Sequence, residues 1–300
     1  HQKLSREQAK EVLINISQDK YNASQLAAFI SVYLMRNISV DELSGFRDAL
    51  LDLCIPIDFG DLPIIDLCGT GGDNKNTFNI STIASFVVAG AGYHVAKHGN
   101  YGVSSISGSS NVLEHFGFRF SNDTNLLHKQ MDKANICFLH APLFHPALKS
   151  VGPIRRELGV KTFFNMLGPL VNPARPKYQS VGVFSLKLAR LYQYMHEQTN
   201  KKYSIVHSTD GYDEVSLTGS VKLITNELEQ LIDPAYFGMP KYTQSDIHGG
   251  NSVEEAAKIF SNVLENSGTA AQNHVVLANA ALGIQCFDQS KSIAECVSEA

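Results

Sequence analysis

Apolar residues in this chain change rhythm near residue 60. Before it they recur every three or four positions. Leu43, Phe46, Leu50 and Leu53 form one stripe over residues 40–53, the spacing of an amphipathic helix. Two more helices are expected upstream, one opened by the capping-box pair Ser5 and Gln8, the other beginning with the apolar run 24–30. After residue 60, short β-branched runs alternate with longer apolar stretches. Residues 64–68, 93–96, 136–139, 181–184 and 203–206 read as strands, with helices expected at 80–91, 111–116, 125–134, a stretch ending at Leu158, and 187–199. This alternation over 64–226 predicts an α/β fold with a mainly parallel sheet flanked by helices. Tail helices at 253–264 and 269–284 would close the sheet, and no chemistry is assigned to them. The expected division is a small N-terminal all-helical domain, 1–62, and an α/β domain, 63–300. A helix near 146–160 is a candidate addition to the first. A helical unit this small buries little by itself, so it should pack on the main domain or on its copy in a second subunit.

Composition narrows the class without naming a chemistry. Over 300 residues, 44% are hydrophobic and 18% charged, as in an ordinary globular protein with a substantial core. A net charge of −4 with scattered Lys and Arg argues against a nucleic-acid footprint. Cys54, Cys68, Cys137, Cys286 and Cys296 include no CxxC pair, which suggests reduced thiols in a cytoplasmic protein. No signal-peptide pattern opens the chain and no apolar run is long enough to span a bilayer, so no membrane partner is expected. His1 is an unusual native start and Ala300 falls within a helical pattern, so both ends are expected to be trimmed.

The chemistry concentrates at strand ends. Gly69-Thr70-Gly71-Gly72-Asp73 follows the strand at 64–68 directly, and Asn79 and Ser81 are cap-type residues at the start of the next helix. Glycines let a backbone approach an anion, and a helix start offers unpaired N–H groups. The same pattern also makes a plain tight turn. It is neither GxxxxGK[ST] nor GxGxxG. The strand at 93–96 delivers Lys97-His98-Gly99-Asn100 to the same sheet edge, where open α/β folds place ligands. The run Tyr101–Ser110, rich in hydroxyls and glycines, reads as a ligand loop or a linker. His140 alone would suit a core histidine, and Arg155-Arg156 a solvated helix face. Asp210-Gly211-Tyr212-Asp213-Glu214 is either a charged turn or a set of hard oxygens for Mg²⁺.

Taken together, GTGGD, NTFNIST and KHGN, in this order and spacing, resemble the anthranilate phosphoribosyltransferase family, within the nucleoside phosphorylase-like class of phosphoribosyltransferases. The strings SGSSNVLEHFG, RRELG, FNMLGPLVNP and DGYDE extend the resemblance. It implies transfer of phosphoribosyl from phosphoribosyl pyrophosphate to the amine of anthranilate, with Mg²⁺, in a homodimer of the tryptophan pathway joined through the helical region. By the same resemblance, Gly69, Thr70, Gly71, Gly72, Asp73, Thr77, Asn79, Ser81, Thr82, Lys97, Ser107 and Ser109 would meet phosphoribosyl pyrophosphate. Gly69, His98, Asn100, Ala141, Pro142, His145 and Arg155 would meet anthranilate, and Ser81, Asp213 and Glu214 the metal. Tyr101-Gly102 stands where most members carry an Arg after KHGN, so no phosphate contact is assigned to position 101. A pyrimidine nucleoside phosphorylase-like enzyme and a non-catalytic nucleic-acid-binding relative are the alternatives.

Overall fold

The computed structural model describes residues 2–102 and 106–300. It opens with three helices, α1 (Arg6–Ser17), α2 (Ala23–Met35) and α3 (Val40–Leu53). Each begins with a reciprocal capping box: Ser5 with Gln8, Asn22 with Gln25, Ser39 with Glu42. Such pairs satisfy N–H groups that a helix start leaves without partners. Leu43, Phe46 and Leu50 of the expected stripe are fully buried. The apolar faces of these helices share one core with Ile154, Phe163, Val181 and Tyr192 of the second unit, and Phe46 stacks on Phe163 with ring centres 4.6 Å apart.

The α/β part follows as β1 (Ile64–Asp66), α4 (Ile80–Gly90), β2 (His94–Gly99), α5 (Ser109–His115), α6 (Thr124–Ala134), β3 (Ile136–His140), α7 (Ala141–Phe144), α8 (Val151–Leu158), β4 (Tyr178–Gly182), α9 (Leu186–Glu197) and β5 (Lys202–Ser208). It ends with β6 (Val221–Thr225), β7 (Glu229–Ile232), α10 (Val253–Leu264), α11 (Ala270–Phe287) and α12 (Ile293–Glu299). Among the described residues the strands form one sheet in the order β3-β2-β1-β4-β5-β6-β7. Strands β1 to β5 pair in parallel, and β6 and β7 add an antiparallel edge. The sheet is thus mainly parallel, as expected.

The chain builds outward from β1 through β2 to β3, then returns to the other side of β1 with β4. Connections therefore leave in opposite directions from the carboxyl ends of β1 and β4. Such a switch point opens a crevice that neither connection fills. Three sequence expectations shift. Strand β2 runs on through Lys97, His98 and Gly99, so the KHGN residues lie largely on a strand instead of after one. Strand β4 starts at Tyr178, before the apolar run, because its polar residues find partners inside. Gln179 donates to the Pro169 carbonyl, and Ser204 donates to Ser180. The β6–β7 hairpin and α12 were not foreseen.

Candidate active site

The glycine loop leaves β1 at the switch point and is held from three sides. The Thr70 N–H donates to the Gly182 carbonyl at the end of β4, 2.9 Å away. The Gly71 N–H donates to Asp213 Oδ2 at 2.6 Å. From beyond α8, the Lys161 ammonium donates to the Gly72 carbonyl. Gly71 and Gly72 have φ of +61° and +78°, a left-handed backbone that side-chain-bearing residues adopt only under strain. Gly182 is needed for another reason. A Cβ there would lie 1.4 Å from the Asp213 carbonyl oxygen, so the end of β4 and the acidic turn can touch only backbone to backbone.

That turn brings carboxylates together. Glu214 Oε1 accepts from the Ser81 N–H at 3.0 Å, in the first turn of α4, where a helix favours negative charge. Asp213 is buried beside it. Burial holds both carboxyls well above their usual range; the Asp213 charge adds to this at Glu214, and the Asp73 charge at both. Among the described residues no ion pair reaches Asp73, Asp213 or Glu214. Hard oxygens crowded without a counter-charge are what a divalent cation such as Mg²⁺ needs. The turn is aligned from the far end of the chain. Asn279 of α11 accepts from the Val215 N–H at 3.1 Å and donates to the Val215 carbonyl at 2.9 Å.

Another part of the lining is more buried. His98, 2% exposed, lies within 2.9 Å of the Gly168 carbonyl through Nδ1. A carbonyl only accepts, so Nδ1 carries the proton and Nε2 a lone pair. Burial brings this imidazole down to about 4. The His145 ring stands edge-on to it at 5.3 Å and is brought down to about 3, again chiefly by burial. Arg155 lies over the Phe164 ring at 5.4 Å and reaches Asn165 Oδ1 at 3.5 Å. Burial lowers its pKa, and no carboxylate pairs with it among the described residues. Arg156, next in sequence, is exposed.

A third wall comes from the hydroxyl-rich run, of which Val103, Ser104 and Ser105 lie outside the described residues. The N–H groups of Gly102 and Gly108 both donate to Asn111 Oδ1 at 3.0 Å. The expected cap role of Asn79 is not seen. Its side chain makes no cap bond to α4 and instead donates to the Ser107 carbonyl at 2.9 Å. The Tyr101 hydroxyl donates to Glu114 at 2.8 Å, which turns its polar tip toward α5.

These walls enclose a cavity of about 270 Å³. Every residue assigned above to phosphoribosyl pyrophosphate or the metal borders it, as do Gly69, His98, Asn100, Ala141, His145 and Arg155. Pro142 does not. It is exposed at the start of α7, because the helical turn that points Ala141 inward carries the next residue about 100° round. Sequence reading missed Lys75, Phe164 and Asn165, which also border the cavity, and Lys161, Gly182 and Asn279, which support it. The polar run after GTGGD could have flagged Lys75. The supports are long-range and left no local signal.

A helical bundle joined to an α/β sheet with a phosphate-type loop at its switch point defines a class. Residues 1–54 match the glycosyl transferase family's helical bundle domain, and residues 61–300 match its a/b domain. An anthranilate phosphoribosyltransferase from Flavobacterium johnsoniae is 62% identical over 284 residues, 95% of this chain and 86% of the relative. The one from Cytophaga hutchinsonii is 55% identical over 300 residues, 100% of this chain and 92% of the relative. Among solved structures, the Thermus thermophilus anthranilate phosphoribosyltransferase superposes with a TM-score of 0.92 at 29% identity, covering 99% of this chain and 90% of that one. The Saccharomyces cerevisiae enzyme in complex with phosphoribosyl pyrophosphate and Mg gives 0.88 at 25% identity, covering 99% and 88%. The chain belongs to the anthranilate phosphoribosyltransferase family, and its enzyme class is that of the pentosyl-transferring glycosyltransferases.

Proposed function

We propose that this chain joins the amine of anthranilate to C1 of phosphoribosyl pyrophosphate within this one cavity. The C1–N bond forms as the C1–O bond to pyrophosphate breaks, and the amine proton passes to solvent. The observation that carries the reading is what one cavity brings together: a glycine loop with carboxylates that no cation pairs, and a guanidinium that no carboxylate pairs, over the Phe164 ring, among the described residues. No side-chain nucleophile is needed, because the aromatic amine supplies the electron pair. The work left to the protein is to stabilise charge on the departing pyrophosphate and to orient the amine.

In this reading the Gly69–Asp73 backbone, Thr77, Asn79, Thr82, Ser107, Ser109 and the buried Lys97 ammonium surround the phosphates. Asp213, Glu214 and Ser81 would hold Mg²⁺, which when bound neutralises charge on the leaving group. Arg155 meets the anthranilate carboxylate in a fork, and His98, Asn100, Ala141 and His145 border the ring. The helical unit, 1–62, is assigned the contact with a second copy, and the protein is assigned to the cytoplasm. Among the described residues no helix is long and apolar enough to cross a membrane. Mixing the protein with phosphoribosyl pyrophosphate, Mg²⁺ and anthranilate should consume anthranilate fluorescence. No consumption by folded protein overturns the reading.

A further inference from the structure

Strands β1 and β2 pair in parallel with Ile65 opposite Val95. Three residues further along each chain, that register sets Cys68, just past the end of β1, beside His98, on the face that also carries Asp66. The ligand atoms that Asp66, Cys68 and His98 offer lie within 4.8 Å of one another. His98 is 2% exposed and Asp66 fully buried, while Cys68 and His98 border the cavity. A second observation is independent of this clustering. With Nδ1–H given to the Gly168 carbonyl, the buried His98 Nε2 has no partner of its own. A backbone carbonyl behind one ring nitrogen and a bare lone pair on the other is the arrangement that orients metal-binding histidines.

We propose that Asp66, Cys68 and His98 form an inhibitory site for a soft or borderline divalent cation, with Zn²⁺ as its representative. The ligand set decides the ion. Thiolate and imidazole favour Zn²⁺ over Mg²⁺, whose preference is for oxygen. Tetrahedral zinc with bonds of about 2.0–2.3 Å sets its ligand atoms about 3.4–3.6 Å apart. The three side chains would thus draw together by roughly 1 Å. The fourth position faces the cavity and takes water. As the Zn–S bond forms, the thiol proton leaves to solvent. Asp66 already accepts from the His98 N–H at 3.1 Å and from Asn172 at 2.8 Å, which fixes its carboxylate without using every lone pair. On the function proposed above, a metal on Nε2 withdraws His98 from its place beside the anthranilate ring, so the ion acts against anthranilate.

The test uses the full chain and Co²⁺ as the spectroscopic probe, with no substrate present, so its outcome does not depend on the proposed reaction. Titration should raise a thiolate-to-cobalt charge-transfer band that saturates at one ion per chain. The band should vanish on adding Zn²⁺ and be missing from Cys68→Ala. Cys54, Cys137, Cys286 and Cys296 are all buried. In activity assays, Zn²⁺ should raise the KM for anthranilate at least tenfold in the wild type and leave that of Cys68→Ala unmoved. Three results overturn the proposal: no thiolate band, an equal band in Cys68→Ala, or zinc inhibition that excess Mg²⁺ relieves, which would place the ion at Asp213 and Glu214.

Discussion

Replacing Arg155 with alanine removes a cation that the free protein hardly uses. The guanidinium contacts Asn165 only at 3.5 Å and lies over Phe164 at 5.4 Å. The cation–π contact is worth about 0.5–1 kcal/mol, so the variant should fold and melt close to the wild type. In the complex the same group would meet a carboxylate in a charged, two-point hydrogen bond in a mostly buried site. Such a bond contributes about 1.5–3 kcal/mol. At about 1.4 kcal/mol per factor of ten, the KM for anthranilate should rise about tenfold to a hundredfold. Affinity for phosphoribosyl pyrophosphate should barely move, because Arg155 contacts Phe164 and Asn165 and not the phosphate loop. Arg155→Lys keeps the charge but loses the fork and should fall between. Steady-state kinetics followed by anthranilate fluorescence, varying each substrate in turn, separates the two constants. Arg156 is exposed, so Arg156→Ala is the control. If the control loses anthranilate affinity while Arg155→Ala does not, the assignment of α8's inner face is refuted.

In Asp213→Asn combined with Glu214→Gln, the Mg²⁺ needed for half-maximal rate should rise sharply. The melting temperature without Mg²⁺ should rise too, because the folded protein no longer has to hold two buried carboxyls against ionisation; an unchanged magnesium titration would make the pair purely structural. Gly71→Val should lose phosphoribosyl pyrophosphate binding by calorimetry and keep its fold. A Cβ at this position meets no protein atom within 4 Å, and the left-handed backbone costs a side-chain-bearing residue roughly 1–3 kcal/mol. Wild-type affinity would reduce the loop to a turn. Glu42 is held down to about 2 from its usual 4.5 by Arg36 and backbone N–H groups, against the opposing effect of burial. Its folded pKa lies below its unfolded one, so its contribution, on the order of 3 kcal/mol, is complete above about pH 4.5 and disappears as pH falls toward 2. Urea midpoints of wild type and Glu42→Gln should therefore converge on acidification, and an equal gap at pH 3 and pH 7 would contradict this.

What could be read from the chain beforehand is what neighbouring residues determine. The capping box of Ser5 and Gln8, the stripe at Leu43, Phe46 and Leu50, and the Gly69–Asp73 loop are written within a few positions, and the structure carries each of them. Boundaries failed where a distant partner decided the outcome. Gln179 and Ser180 do not look like strand residues until Pro169 and Ser204 satisfy them. Asn79 looks like a cap until Ser107 claims its amide. The cavity's lining was largely legible, because a ligand loop needs glycine, hydroxyl and charge close together. Its supports were not. Lys161 reaches Gly72 across 89 residues, and Gly182 matters only because Asp213 packs onto it.

Asn279 lies 64 residues beyond Val215, and its amide grips both backbone groups of that residue. A chain made from its amino terminus gains its parts in sequence. Emerging from the ribosome, it first completes the helical unit, then the glycine loop and the strands around it, and only later, with α11, the amide that aligns Asp213 and Glu214. A nascent chain therefore passes through a stage in which the crevice is shaped but its acidic end is unset. On the proposed function, the acidic turn is aligned for a cation only after α11 has been made and has docked.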